Sequence, residues 1–251
     1  MKVLAINSLK GGVGKTATAV NIAFLASCDN YRVLLWDFDV QSSASFYFRV
    51  ENKIKGKTED ILKEKSFIKN NIKGSNYKNL DIIPSDFSLK DIDIVINDTK
   101  KAKKKFVNRL DELEEDYDIV IFDCPPGFNQ LLEYIINISH LILFPLIPTT
   151  LSVRAYDLLV EHIKNNFKKN VFICPFFTMV DRRKKMHKNT MDEFSKNNKY
   201  CLKTTIPYSS TIELMGEYRA PVAIFAKHSK ADNSYRDLWG EIKELLGGFN
   251  F

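Results

Sequence analysis

Seven residues, Lys10-Gly11-Gly12-Val13-Gly14-Lys15-Thr16, constrain this chain more than any other stretch, because of what flanks them. A continuous apolar run over 3–7 precedes them, and a helical pattern over 16–27 begins at their end. Glycine reaches backbone conformations in which successive N–H groups converge on an anion. A helix opening at that point adds its positive N-terminal end. The strand–loop–helix unit therefore reads as a phosphate-binding loop, with Lys15 placed for the β- and γ-phosphates and the Thr16 hydroxyl for Mg²⁺. The general template G-x-x-x-x-G-K-[ST] is met only in part: Leu9 stands at its first glycine, and Lys10 precedes the glycine pair.

The rest of the chain repeats the same alternation. Strand patterns lie at 3–7, 33–37, 80–84, 119–123, 141–146, 171–177 and 202–206, and helical patterns at 16–27, 100–114, 152–167, 186–196 and 235–246. Most of the strands are unbroken Val/Ile/Leu/Phe runs, as strands covered on both faces should be. The expectation is an α/β fold: a doubly wound, mostly parallel sheet flanked by helices, in one domain over 1–251. The hydrophobic share, 45% of 251 residues, supplies a full core and excludes a disordered chain. The apolar run at 141–147 is seven residues with a proline inside, where a membrane span needs about 20. The start of the chain lacks the layout of a cleavable leader, so a cytoplasmic protein is expected. Cys28, Cys124, Cys174 and Cys201 are scattered singly and read as buried thiols rather than a disulfide framework or zinc site. The polar stretch 51–78 reads as a solvated connection, with room for a short helix.

Three aspartates stand at strand ends. Asp37 and Asp39, two apart, project to one side of the sheet at its carboxyl end, where doubly wound folds bind ligands. Asp39 either serves chemistry there or, with Ser42 and Ser43 following, starts the next helix. Asp123 closes the apolar run 119–122 and precedes Pro125-Pro126, which suits a carboxylate holding Mg²⁺ through a bound water.

The form K-G-G-x-G-K-[ST] resembles the deviant Walker A motif of the ParA/MinD family of partition and positioning ATPases. Val33-Leu-Leu-Trp-Asp37-Phe-Asp39-Val-Gln41 resembles the family's V-L-L-x-D-x-D-P-Q segment, and the run from Asp118 to Gly127 its Walker B strand and D-x-P-P turn. Later segments match in order: Thr178 to Arg183, Thr205-Ile206-Pro207, and the helix from Tyr235. The resemblance is to ParA/Soj-type members without a helix-turn-helix ahead of the ATPase. It implies ATP and Mg²⁺ as ligands, with Lys10, Gly11, Gly12, Val13, Gly14, Lys15, Thr16 and Ala17 around the phosphates and Met179, Pro207 and Tyr208 near the base. It implies that Asp39 orients or polarises the attacking water and lies near the metal with Thr16 and Asp123. It implies that Lys10 crosses an ATP-dependent sandwich homodimer to the other copy's nucleotide, acting in trans. Two departures stand out: Ala17 replaces a common hydroxyl residue, and Val40 replaces the proline before Gln41.

Net charge is +6, but it is unevenly placed. Residues 164–203 hold eleven Lys and Arg against three Asp and Glu, while the remainder holds 26 against 28. Five of the eight residues from Asp181 to Lys188 are permanently cationic: Arg182, Arg183, Lys184, Lys185 and Lys188. Such a cluster suits sequence-independent, salt-sensitive contact with DNA phosphates. Arg219, Lys227 and Lys230 are expected to flank the same surface, as in related ATPases. The lysines at 100–105 read as a solvated face. The resemblance thus implies a partition or positioning ATPase associated with the nucleoid and stimulated by a ParB-like or other adaptor. A MinD-like membrane-surface regulator is the alternative, with Trp239 and the Phe-bearing tail in its favour; a metabolic P-loop synthetase is a further one.

Overall fold

A computed structural model of the chain describes residues 1–57, 60–63, 66–86, 100–167 and 171–248. Among these, eight strands form one sheet: β1 (Lys2–Ile6), β2 (Val33–Asp37), β3 (Lys73–Gly74), β4 (Leu80–Ile83), β5 (Ile119–Asp123), β6 (Leu141–Leu146), β7 (Phe172–Val180) and β8 (Thr205–Pro207). Their order is β3-β4-β2-β5-β1-β6-β7-β8. All pairings are parallel except β3 with β4. The expected α/β architecture is therefore the observed one.

The helices in chain order are α1 (Lys15–Cys28), α2 (Ser43–Tyr47), α3 (Asp60–Lys63), α4 (Phe67–Asn71), α5 (Lys100–Asp111), α6 (Gln130–Ile138), α7 (Thr150–Asn166), α8 (Lys185–Asn197), α9 (Ser210–Glu213), α10 (Met215–Tyr218), α11 (Val222–Phe225) and α12 (Lys230–Gly248). Alternate residues of each strand feed two separate cores. Leu4, Ile6, Leu35 and Ile121 pack with α1 and α12, while Val3, Ala5, Trp36 and Phe122 pack with α5, α6 and α7. No helix among the described residues is long and apolar enough to cross a membrane.

Several boundaries differ from the sequence expectation, each for a local reason. α12 starts five residues early because Ser229 accepts the Asp232 N–H while Asp232 accepts the His228 N–H, a capping arrangement that fixes the helix start. β7 continues to Val180, past a register shift against β8 between Phe177 and Val180, with Met179 at φ 52°. The stretch 51–78 is no mere solvated connection. Ile54, Ile61, Phe67 and Ile68 are buried in the core around Trp36, and Asn71 bonds both the N–H and the carbonyl of Lys55. Cys124 and Cys174 are buried as expected, but Cys28, the last residue of α1, is exposed. Lys104 and Lys105 are exposed, and the tail at 249–251 lies outside the described residues.

Candidate functional site

The central strand β1 ends directly under the glycine-rich loop. Gly12 and Gly14 take φ of 70° and 86°, values that L side chains rarely adopt. A Cβ at Gly14 would also meet the Thr178 hydroxyl at 3.3 Å, whereas Gly11 and Gly12 face open space. The result is a concave, backbone-lined cradle with α1 opening behind it. Thr18 closes the first turn, donating from both N–H and Oγ1 to the Gly14 carbonyl at 3.0 and 2.8 Å. Lys15 is a buried residue, 7% exposed, and its ammonium donates to the Lys10 carbonyl at 3.2 Å. Burial pushes it below its ordinary pKa, while Asp123, Asp39 and Cys124 pull the other way.

Beneath the loop, parallel register sets Asp37 of β2 beside Asp123 of β5, and Asp123 beside Ile6 of β1. Both aspartates are fully buried. Asp123 is the more exceptional of the two: neither carboxylate oxygen has a hydrogen-bond partner. The Thr16 hydroxyl and the Lys15 ammonium are the groups that favour its charge, but burial dominates, with Asp37 adding to it, and the carboxyl is held well above its usual range. An unpaired buried carboxylate is costly unless a cation or donor arrives. That cost is the signature of an ion site. Among the described residues no three or more His, Cys, Asp or Glu are grouped to hold a metal on their own. The set therefore fits Mg²⁺ entering on phosphate oxygens and needing only a hydroxyl and a carboxylate from the protein.

The turn after β2 is organised by Asp37 rather than Asp39. Asp37 Oδ1 accepts the Asp39 N–H at 3.1 Å, and Oδ2 accepts both the N–H and the hydroxyl of Ser45, each at 3.1 Å. Burial still pushes Asp37 up to about 6, against these bonds. Asp39 stays half-buried and holds only the local turn, accepting the Gln41 N–H at 3.0 Å. Ser42, the residue before α2, sends its hydroxyl to the Ser85 carbonyl at 2.6 Å and does not cap the helix. Of the two readings weighed for Asp39, helix capping thus falls to Asp37, which leaves Asp39 at the rim. The absence of proline at Val40 is offset by these ties to Ser45 and Ser85.

On the far side of the loop, Met179, Pro207 and Tyr208 line one shallow pocket with Gly14, Thr178, Ser209 and Tyr235. The three residues expected near a base therefore converge on the phosphate loop. Ser45 and Thr178 were not legible as site residues: each acts through a partner distant in sequence, Asp37 eight residues back and Gly14 across the fold. Asn7, at the end of β1, is fully buried with both amide atoms unpartnered, a second polar group left open at this end of the sheet.

The basic segment follows β7 at its carboxyl end. Arg182, Lys184, Lys185 and Lys188 are exposed. Arg183 is exposed as well but forks onto Asp181 at 2.9 and 3.0 Å, and this pair depresses the Asp181 carboxyl to about 2. His187 is buried beneath them and accepts the Asp181 N–H at 3.1 Å, fixing the loop. Arg219, expected on the same surface, makes its side-chain contacts with α2. Its guanidinium lies 4.4 Å from the Phe46 ring centroid and its Nε donates to the Phe46 carbonyl at 3.1 Å. Phe46 belongs to α2, after β2, and β2 stands four strand spacings from β7, or about 19 Å.

Comparison with known proteins agrees with this geometry. The family model AAA_31, described as an AAA domain, matches residues 1–173. The sporulation initiation inhibitor protein Soj of Bacillus subtilis is 26% identical over 247 residues, covering 96% of this chain and 98% of Soj. Among solved structures, a putative plasmid partition protein of Borrelia burgdorferi bound to AMPPNP superposes with a TM-score of 0.82 at 25% identity, over 97% of this chain and 99% of the other. Cobyrinic acid a,c-diamide synthase of Mycobacterium smegmatis shares the fold at a TM-score of 0.81 and 20% identity, over 99% and 96%. With the glycine cradle, the paired aspartates and a family model spanning more than half its length, the chain belongs to the AAA_31 family and is an ATPase of the ParA/MinD partition type.

Proposed function

We propose that this chain is a ParA-like switch: a single ATPase domain that binds MgATP, dimerises on it, then binds DNA non-specifically and is reset by partner-stimulated hydrolysis. The observation that carries the ATP site is the unpartnered, fully buried Asp123 carboxylate beside Lys15 and Thr16 beneath an open glycine cradle. The loop N–H groups and Lys15 hold the β- and γ-phosphates, Thr16 and Asp123 hold Mg²⁺, and Met179, Pro207 and Tyr208 receive the base. Mg²⁺, when bound, neutralises charge on the phosphate oxygens.

Water attacks the γ-phosphorus, the bond to the bridging oxygen breaks, and ADP and phosphate leave. Asp39 orients that water from the half-buried rim. Its turn is fixed through Asp37 and Ser45, so a carboxylate that makes no helix cap remains available to the substrate. Lys10 of a second copy supplies charge as the transition state forms, in the manner of an arginine finger. This makes dimerisation a precondition of hydrolysis. The bulk positive charge of Arg182, Lys184, Lys185 and Lys188 supports a phosphate-backbone contact with nucleoid DNA, released when the dimer parts. Cargo is then positioned by an activating adaptor that sets the lifetime of the DNA-bound state.

The test is DNA binding by the purified protein with ATP, ADP or no nucleotide across a salt series. Asp39→Ala traps the ATP state. Salt-sensitive binding that requires ATP and is lost in Arg182→Glu/Arg183→Glu is the expected result. Intact hydrolysis without DNA binding in any state sinks the DNA part of the reading; binding to anionic liposomes instead establishes the membrane-surface alternative.

A further inference from the structure

Two short helices that lie far apart in sequence end on each other's arginine. Arg49, two residues past α2, takes the left-handed region at φ 57°, and Arg219, directly after α10, takes it at φ 49°. Arg49 donates from its guanidinium to the Tyr218 carbonyl at the end of α10, at 2.9 Å. Arg219 donates to the Phe46 carbonyl at the end of α2 and stacks on the Phe46 ring. Arg49 thus satisfies a carbonyl that α10 leaves open at its end, while Arg219 adds a side-chain donor to the Phe46 carbonyl, which also accepts the Arg49 N–H at 3.1 Å. The two bonds run in opposite directions across one junction.

The junction lies between two parts of the ATP site. α2 carries Ser45, whose bonds to Asp37 fix the turn that bears Asp39. α10 continues the segment from Tyr208 and Ser209, which lines the base-side pocket. That segment is in turn fastened to α1: Asn21 accepts the Val222 N–H at 2.9 Å and its amide reaches the Met215 sulfur at 3.3 Å. The phosphate-loop helix, the base-side segment and the hydrolytic turn are linked in one circuit, and the arginine pair closes it.

We propose that Arg49 and Arg219 form a reciprocal clasp that aligns the Asp39 turn with the base-side segment, making both of them positioning residues for ATP hydrolysis. The clasp rests on the ATPase reading of this site. It also removes Arg219 from the DNA-facing set. Because the donors are solvent-accessible and the acceptors are helix-end carbonyls, the clasp bears on alignment far more than on global stability.

The test uses the full chain as Arg49→Ala, Arg219→Ala, the double variant and Arg49→Lys. In the nucleotide-free protein, amide exchange over 43–48 and 215–219 is expected to quicken about tenfold at both segments in either single variant. In steady-state kinetics, kcat is expected to fall about tenfold with KM within about twofold, the double variant no worse than a single, and Arg49→Lys partly restored. The salt slope of DNA binding should not move in Arg219→Ala. Loosening confined to the mutated side overturns the clasp, and so does full additivity in the double variant. A DNA salt slope reduced by about one with kcat intact returns Arg219 to the DNA surface. Should the wild-type protein hydrolyse no ATP, the ATPase reading fails, and the exchange measurement alone decides the clasp: unchanged protection overturns it.

Discussion

The carboxylates under the phosphate loop and the cations after β7 are both clusters of charge at the carboxyl ends of parallel strands, yet they are built in opposite ways. Asp37 and Asp123 are fully buried, side by side, and one of them has no partner. Arg182, Arg183, Lys184, Lys185 and Lys188 are in water, and one of them, Arg183, is already matched by Asp181. Burial concentrates the effect of a charge, because a low-dielectric site leaves no solvent to replace a missing counter-ion. Exposure disperses it, and only the sum over many residues acts. A single buried group can therefore reveal a ligand, whereas an exposed run indicates at most a class of surface.

The largest effects should come from the buried side and its rim. Lys10→Ala and Asp39→Ala are each expected to slow hydrolysis about a thousandfold while leaving ATP bound, as measured by single-turnover assay and nucleotide retention. Mixing the two inactive proteins sharpens this. A dimer with one of each keeps one site with Asp39 in place and Lys10 from the other copy, so activity should reappear on mixing. Flat kinetics in the mixture would mean that Lys10 acts within its own chain.

Next in size is a proton effect. Asp37 lies near 6 in the native state against an ordinary 3.8, so the native protein holds that proton more tightly than the unfolded chain does. Stability of the nucleotide-free protein should accordingly rise as pH drops from about 7 towards 4.5, by at most roughly 2 kcal/mol through this group. Asp123, raised in the same direction by burial, adds to the trend. Thermal melts of Asp37→Asn should be flatter over that range. An equal slope in the variant would show that Asp37 is ionised without penalty and that the contrast between buried and exposed charge is overstated here.

The exposed side predicts smaller, graded changes. Arg182→Glu/Arg183→Glu should weaken ATP-dependent DNA binding about ten- to a hundredfold at moderate salt, with a shallower salt slope. Asp181→Asn should act the other way. It frees Arg183, which Asp181 now holds at 2.9 Å, so affinity should rise a few-fold and the slope steepen by about one. A gain from removing an acid beside the cluster separates a phosphate-facing surface from a merely solvated one.

What the sequence made legible follows the same division. β2, β5 and β6 match their expected bounds because a strand covered on both faces must be unbroken apolar residues, and nothing else in a short window looks like that. The phosphate loop was legible because glycine spacing, strand and helix must coincide. The helix starts were less so: α12 begins at a Ser229–Asp232 cap rather than at its first large apolar residue. The burial of Ile61, Phe67 and Ile68 was hidden because scattered apolar residues in a polar stretch show no period. The contact of Arg219 was hidden because an arginine's identity says nothing about which face it meets, and its partner Phe46 lies 173 residues away. The family resemblance alone separates Asp39 from Asp37 in sequence, and the contacts to Ser45 are what mark Asp37 as the fastener of the turn.

The rims of the sheet carry a consequence of their own. Among the described residues the outermost strands are β3, with two residues, and β8, with three. A row of unpaired N–H and C=O groups is a template for strand addition only when it is long and flat. Among the described residues the two outermost strands themselves offer only a few donors, which gives copies of the chain at high local concentration little of a backbone ladder to extend there. Self-association is thereby favoured on surfaces made of side chains and loops, which can be assembled and taken apart repeatedly.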